Sequence, residues 1–186
     1  MREHVPRQRL VGLLMVLGVV VAAAVILERF RPSAPTDTAL LGVRADDIVE
    51  IRVWEGTREL RAVRRGAVLV VETPAAGRPG AQAAVAEMVD FLVALVPIDT
   101  FERGEVDRRD FGLEPPRARI EIAVRGRSEP MVLLLGDYVP TGGSVYGALA
   151  SGRSIHRIGA GIVSEVEKAF YRVLPDEEGE GAVGDP

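Results

Sequence analysis

The sequence predicts an α+β protein, in which one N-terminal transmembrane helix precedes a mainly antiparallel sheet with two packed helices. Three observations support this class. An uncharged apolar run lies near the N-terminus, several short segments alternate apolar and polar residues, and two longer stretches repeat apolar residues every three or four positions. Because most links between the alternating segments are too short for a parallel crossover, we expect neighbouring strands to pair antiparallel, with the helices on one face.

The apolar run extends from Leu10 to Leu27 and contains no charged or amide side chain. At 1.5 Å rise per residue, a helix of this length spans about 27 Å, close to the hydrocarbon thickness of a bilayer. A cleaved signal peptide is the alternative, since the alanines at 22–24 resemble a cleavage site. The run continues beyond those alanines, so we favour an uncleaved anchor over residues 10–31, with residues 1–9 in the cytoplasm.

The orientation of the anchor follows from the flanking arginines, of which three precede the run and two follow it. This small bias places the N-terminus inside, and the domain after the anchor is then extracytoplasmic. The chain has no cysteine, which excludes a lipid-modified N-terminal cysteine as the anchor. We therefore expect a single-pass protein of the inner (cytoplasmic) membrane that contacts the bilayer through its apolar run.

The charge of the domain limits its partners. Five of the 23 cationic residues and two of the 27 acidic ones lie before residue 32, so the remainder carries a net charge of −7. Nucleic acids and anionic lipid headgroups both require clustered cations. We therefore expect no nucleic-acid partner and no binding of the domain to anionic lipid headgroups.

The first half of the domain predicts a meander followed by a helix. Residues 32–43 are rich in proline, serine and threonine and are interpreted as a linker, and the domain proper is assigned to residues 44–174. Period-two alternation predicts strands at residues 49–54, 59–63 and 68–72. Apolar residues recurring at three and four predict a helix over 79–96, with Pro79 in its first turn, followed by a short strand at 98–101 and a charged loop at 102–110.

The second half loosely repeats this order, a weak sign of duplication. Strands are predicted at residues 120–125, 131–135, 145–149 and 154–158, and a glycine-rich loop at 136–143. The apolar spacing from Ile162 to Leu174 predicts a closing amphipathic helix. Residues 175–186 are acidic and lack apolar spacing, so they are interpreted as a disordered tail.

Three stretches together carry a family resemblance: DFGLEPP at residues 110–116, LLLGDYVPTGGSVYG at 133–147, and SIHRIG at 154–159. Over about residues 44–170 the chain resembles a bacterial family of membrane-anchored domains of unknown function associated with gliding-motility-type ABC transporters. Members usually have tryptophan on the third strand, where this chain has Val68 and Leu69, and many are longer. The resemblance implies a place in the bacterial cell envelope beside ABC transporter subunits, and no catalytic residues.

The glycine-rich loop is the best candidate for an interaction surface. Glycines permit close approach of a partner's backbone, and the loop offers polar and aromatic side chains. The alternative interpretation is a simple connection whose glycines allow positive φ, with Tyr138 covering a strand edge. The candidate residues are Asp137, Tyr138, Pro140, Gly142, Gly143 and Tyr146.

Other candidate residues favour structural interpretations. Phe111, Pro115 and Pro116 are interpreted as a plug that fills the core and stops sheet extension, rather than as a docking patch. His156 is interpreted as a half-exposed sheet residue rather than a general base. The carboxylates Glu102, Glu105, Asp107 and Asp110 lack the glycine and the ligand spacing of a calcium-binding loop. The chain also has no phosphate-binding glycine motif and no hydrolase motif, so we predict no catalytic residues, cofactor or metal.

These observations favour a non-enzymatic accessory subunit that binds a membrane complex, with an ABC transporter as the expected partner. An envelope hydrolase that uses His156 together with Asp137, Asp107 and Asp110 is the first alternative. A passive structural tether is the second.

Overall fold

The computed structural model describes residues 39–72, 80–101 and 107–173. Among these residues no helix is both long and apolar enough to span a bilayer. The run from Leu10 to Leu27, Pro79, the carboxylates Glu102 and Glu105, and the acidic tail lie outside the described residues. The membrane anchor and the disordered tail therefore stay predictions.

The described chain is α+β, as predicted, with two α-helices and eight strands in a single sheet. The strands are β1 Ile48–Glu55, β2 Arg58–Arg65, β3 Val68–Val71, β4 Asp99–Phe101, β5 Ala118–Val124, β6 Met131–Tyr138, β7 Ser144–Leu149 and β8 Ile155–Gly159. Every neighbouring pair of strands is antiparallel, and the order across the sheet is β3-β2-β1-β5-β6-β7-β8-β4. The helices are α1 Ala81–Val93 and α2 Gly161–Val173.

Two meanders diverge from the centre of the sheet, where β1 pairs with β5. The first runs outward through β2 and β3 and is followed by α1, while the second runs outward through β6, β7 and β8 and is followed by α2. The short strand β4 crosses to the far edge and pairs with β8. Each meander is thus followed by one helix, although the first meander has three strands and the second has four. The duplication stays a prediction.

The main core lies between one face of the sheet and the two helices. Alternate strand residues such as Ile51 and Ile120 are fully buried there, together with Met88 of α1 and Phe170 of α2. Period two along the strands and period 3.6 along the helices direct these side chains to one shared layer. We refer to the opposite side of the sheet as the helix-free face.

Apart from shifts of one or two residues at strand ends, the structure differs from the predicted boundaries in three places. Leu41 and Val43, which the sequence places in the linker, are buried in the main core. Helix α1 begins at Ala81, after Gly80 in a left-handed conformation, and ends at Val93 rather than at residue 96. Strand β6 continues to Tyr138, because a register shift beyond Leu135 restores pairing of Tyr138 with Val145, so the predicted loop at 136–143 is shorter than expected.

Candidate functional site

The helix-free face has two halves, one charged and the other covered by a segment of the chain. Over β1, β2 and β3 it carries what we call the charged ladder, and over β6, β7 and β8 it is covered by residues 107–117, which we call the plug. The charged ladder comprises Glu50, Arg52, Arg61, Arg65 and Glu72.

The plug begins with a short 3₁₀ helix, Arg108–Phe111, and presents Leu113 to the sheet. The Asp107 carboxylate accepts a hydrogen bond of 3.0 Å from the Arg109 amide and caps the turn. Leu113 is fully buried against Leu134, Ala148 and Ile155 and forms a second, smaller core. The segment thus covers the sheet, but the prediction that Phe111 fills the core is wrong, because Phe111 is half-buried and Leu113 is the fully buried residue. The role of Pro115 and Pro116 in stopping sheet extension stays a prediction.

Two glycines allow the plug to approach the sheet closely. A Cβ at Gly136 would lie 2.1 Å from the Phe111 carbonyl oxygen, so only glycine fits beneath that part of the plug. Gly112 has a φ of +63°, and a Cβ there would lie 2.4 Å from the Asp137 carboxyl carbon. The Phe111 ring packs edge-on against Tyr146, with 4.7 Å between the ring centroids. The residues of two resemblance motifs therefore form one packed structural unit.

The structure divides the predicted interaction surface between the end of the sheet and the plug. Asp137, Pro140, Gly142 and Gly143 are exposed, and both of these glycines have positive φ, as the connection interpretation requires. Tyr146 is half-buried beneath the plug instead, so it is not part of the exposed surface.

Tyr138 remains an exposed member of that surface. Its side chain is 46% exposed, and the Arg117 guanidinium lies 4.9 Å from the centre of its ring. This aromatic ring next to a cation is available for contact at the end of β6.

The residues of the hydrolase alternative lie on separate elements. His156 is half-buried on β8, and its Nδ1 lies 3.0 Å from the Thr100 hydroxyl on β4. Asp137 lies on β6, two strands away, which corresponds to about 10 Å between backbones. Asp107 caps the plug, as described above, and Asp110 is exposed. In the described part of the chain, no group of three or more His, Asp or Glu side chains is arranged to hold a metal ion.

The charged ladder is an internally paired network. Glu50 accepts hydrogen bonds of 2.7 Å from Arg61 and 2.6 Å from Arg52, and Glu72 accepts bonds of 2.8 Å from Arg61 and 2.7 Å from Arg65. The hydrogen bond from Arg61, supported by Arg52, holds the pKa of the Glu50 carboxyl below its usual range despite partial burial. A shallow pocket of about 110 Å³ beside this network is lined by Glu50 and Arg52, which already bind each other.

A groove at the edge of the sheet was not predicted from the sequence. It lies between the start of β3 and the outer side of α1 and has a volume of about 290 Å³. We call it the β3–α1 groove. Its lining residues are Ala67, Val68, Leu69, Gln82, Ala83, Ala86, Val89 and Asp90. The sequence shows the uncharged strand VLVV and the small residues of α1, but it does not show that β3 is an outer strand of the sheet.

No protein-family model, curated protein or solved structure matches the chain. The family resemblance of residues 44–170 therefore stays a prediction.

Proposed function

We propose that this chain is a non-enzymatic accessory domain, anchored in the bacterial inner membrane, that binds another protein of the cell envelope through the edges of its sheet. The observation that carries the proposal is that, in the described part of the chain, three of the six large exposed apolar side chains lie on or next to an outer strand of the sheet. Val68 of β3 is 55% exposed, and Ile98 and Phe101, next to and within β4, are 55% and 39% exposed. Strands β3 and β4 are the two outer strands of the sheet.

An outer strand with apolar side chains is an unusual surface for a free protein. Exposed backbone N–H and C=O groups pair readily with another chain, so natural proteins protect sheet edges with charges, prolines or bulges. The four residues of β3 are all apolar, and no described strand pairs with its outer side. Such an edge is typical of a surface that a partner covers.

The anchored position and the partner class come from the sequence. The run from Leu10 to Leu27 supplies the bilayer contact, and the arginine bias places the domain on the extracytoplasmic side. The family resemblance adds ABC transporter subunits as the expected membrane-protein partner. The net charge of −7 after residue 31 disfavours nucleic acid.

Cross-linking followed by affinity purification in mild detergent tests this function on the full-length chain. Wild type should recover a membrane protein, and Val68→Arg or Phe101→Arg should lose it, because a charge on an outer strand opposes strand pairing and apolar contact. Tyr171→Arg is the matched control, since Tyr171 is 66% exposed but lies on α2. Recovery of the wild-type chain alone, or unchanged recovery by both edge variants, would contradict the proposal.

A further inference from the structure

Two residues of β3 direct their backbone N–H and C=O groups away from β2, toward the free edge of the sheet. The Glu72 amide donates to the Arg61 carbonyl oxygen on β2, so this pair is hydrogen-bonded across the two strands. In an antiparallel ladder, hydrogen-bonded pairs alternate with pairs that are not bonded. The N–H and C=O groups of Val70 therefore point toward β2, whereas those of Leu69 and Val71 point to the free edge.

The β3–α1 groove lies beside this free edge, on the helix side of the sheet. Every second side chain of a strand added to β3 would point toward α1. There it would meet the small side chains of Ala83 and Ala86 and the apolar side chain of Val89. These contacts suit aliphatic side chains, and the outward backbone groups suit an extended main chain.

The charge of the groove favours a basic partner. Asp90 lines the groove, and among the described residues no cation lies within ion-pair distance of it or of Asp46. Partial burial and the negative charge of Asp46 both raise the pKa of the Asp90 carboxyl. Arg64 donates its hydrogen bonds to backbone carbonyl groups, including those of Ala45 and Ala67. A cation from a partner would complete this site.

We propose that the β3–α1 groove binds an extended segment of a partner protein by strand addition to β3. The segment places aliphatic and basic side chains two residues apart on the side that faces α1. Hydrogen bonds to Leu69 and Val71 hold its backbone, the groove takes the aliphatic side chains, and Asp90 with Asp46 takes the basic one. This assignment rests on the proposed function and names the kind of partner segment that the β3 edge accepts.

The test uses a fluorescent, end-capped peptide of sequence TRTVTVTRT and the purified full-length chain, with binding followed by fluorescence anisotropy. Its valines and arginines share one side of an extended strand, and the arginine at each end serves either strand direction. We expect saturable binding to the wild-type chain. The double variant Asp46→Asn/Asp90→Asn should bind at least fivefold more weakly, and the peptide TETVTVTET should not bind. Asp110→Asn is the matched control and should bind like wild type, because Asp110 lies on the plug.

N-methylated peptides separate strand addition from loose apolar contact. Methyl groups on the amides of even-numbered residues block one edge of the peptide, and methyl groups on odd-numbered residues block the other. Strand addition requires that one of these two peptides loses binding while the other keeps it. Peptide binding should also slow hydrogen exchange at the Leu69 and Val71 amides, with little change at Val70.

Absence of binding, equal binding of both methylated peptides, or equal binding of the glutamate peptide would overturn the assignment. The proposed function would survive that result if Val68→Arg or Phe101→Arg still abolished recovery of the membrane partner. If instead the peptide bound as expected and no membrane partner were recovered, the groove assignment would stand and the proposed function would fall.

Discussion

The two halves of the helix-free face differ in their exposure to water and in the side chains that stabilise them. On β1 and β2 this face carries Glu50, Arg52, Arg61 and Arg65, and their ion pairs with one another and with Glu72, just after β3, leave this half open to water. Over β6, β7 and β8, Leu134, Ala148 and Ile155 lie on this face, and the plug covers them with Leu113. One half therefore depends on solvated charge pairs, whereas the other depends on burial.

This difference predicts unequal costs of substitution. Surface ion pairs contribute little to stability, because water solvates both partners well in the unfolded state. Removing a buried side chain, or forcing an atom into a closely packed contact, costs several times more. We therefore expect substitutions in the covered half to destabilise the domain far more than substitutions in the charged ladder.

The largest effect is expected for Gly136→Ala. The new Cβ would lie 2.1 Å from the Phe111 carbonyl oxygen, a backbone atom that moves only if the plug leaves the sheet. We expect a loss of about 4 kcal/mol in the free energy of unfolding. Urea unfolding of the full-length chain, followed by fluorescence of its single tryptophan, Trp54, measures it.

Gly143→Ala is the matched control for that substitution. Unlike Gly136, Gly143 has a positive φ, and a Cβ there would have no atom within 4 Å. Its cost should be about 1 kcal/mol, from backbone strain alone. Equal losses of stability for Gly136→Ala and Gly143→Ala would show that the plug does not pack closely against Gly136.

The second-largest loss of stability is expected for Leu113→Ala. Leu113 is fully buried in the smaller core, so its truncation removes apolar contacts and leaves a cavity. We expect a loss of about 3 kcal/mol by the same unfolding measurement. Ile98→Ala is the control, because Ile98 is 55% exposed, and it should change stability by less than about 0.5 kcal/mol. A similar small change for Leu113 would remove the distinction between the two halves.

A smaller and pH-dependent effect is expected for Glu50→Gln in the charged ladder. The Glu50 carboxyl has a lowered pKa, so its ionised form stabilises the fold above the unfolded-state pKa of about 4.3. That contribution is lost as the pH falls through the lower pKa of the folded state. At pH 7 the variant should lose about 1 kcal/mol.

Measuring unfolding from pH 7 to pH 3 checks the sign of that effect. The stability difference between wild type and Glu50→Gln should shrink as the pH falls below about 4. A difference that grew toward acid pH would contradict the pairing of Glu50 with Arg61.

The smallest effect is expected for Arg119→Ala, next to the ladder. The Arg119 guanidinium lies 5.6 Å from the centre of the Trp54 ring and 3.3 Å from the Glu121 carboxylate, at an exposed position. We expect a loss of about 0.5 kcal/mol or less. The emission maximum of Trp54 should shift in the folded state, because the cation over its ring is removed. A loss of stability as large as that of Leu113→Ala would mean that the exposed contacts of Arg119 stabilise the domain as much as burial of Leu113 does.

The sequence predicts the charged ladder more readily than the covered half. Alternation such as Glu50, Ile51, Arg52 and Val53 shows which residues face water, and it identified the meander and the sheet class correctly. The motif around Phe111 indicated a plug, but period-two alternation contains nothing that identifies Leu113 as its buried residue. That assignment depends on contact with β6, β7 and β8, which are distant in sequence.

The candidate sites show the same limit. The exposed turn at Gly142 and Gly143 was predicted, because positive φ has a glycine signature. Tyr146 was misplaced, since only the folded plug brings Phe111 onto it. The β3–α1 groove was missed because strand order makes β3 an outer strand, and a local pattern carries no information about strand order.

The most direct test of the proposed function is carbonate extraction of membranes that contain the full-length chain, compared with a chain that lacks residues 1–32. We predict that the full-length chain remains in the membrane pellet, and that the shortened chain is released. Release of the full-length chain into the carbonate supernatant would contradict a membrane-anchored function.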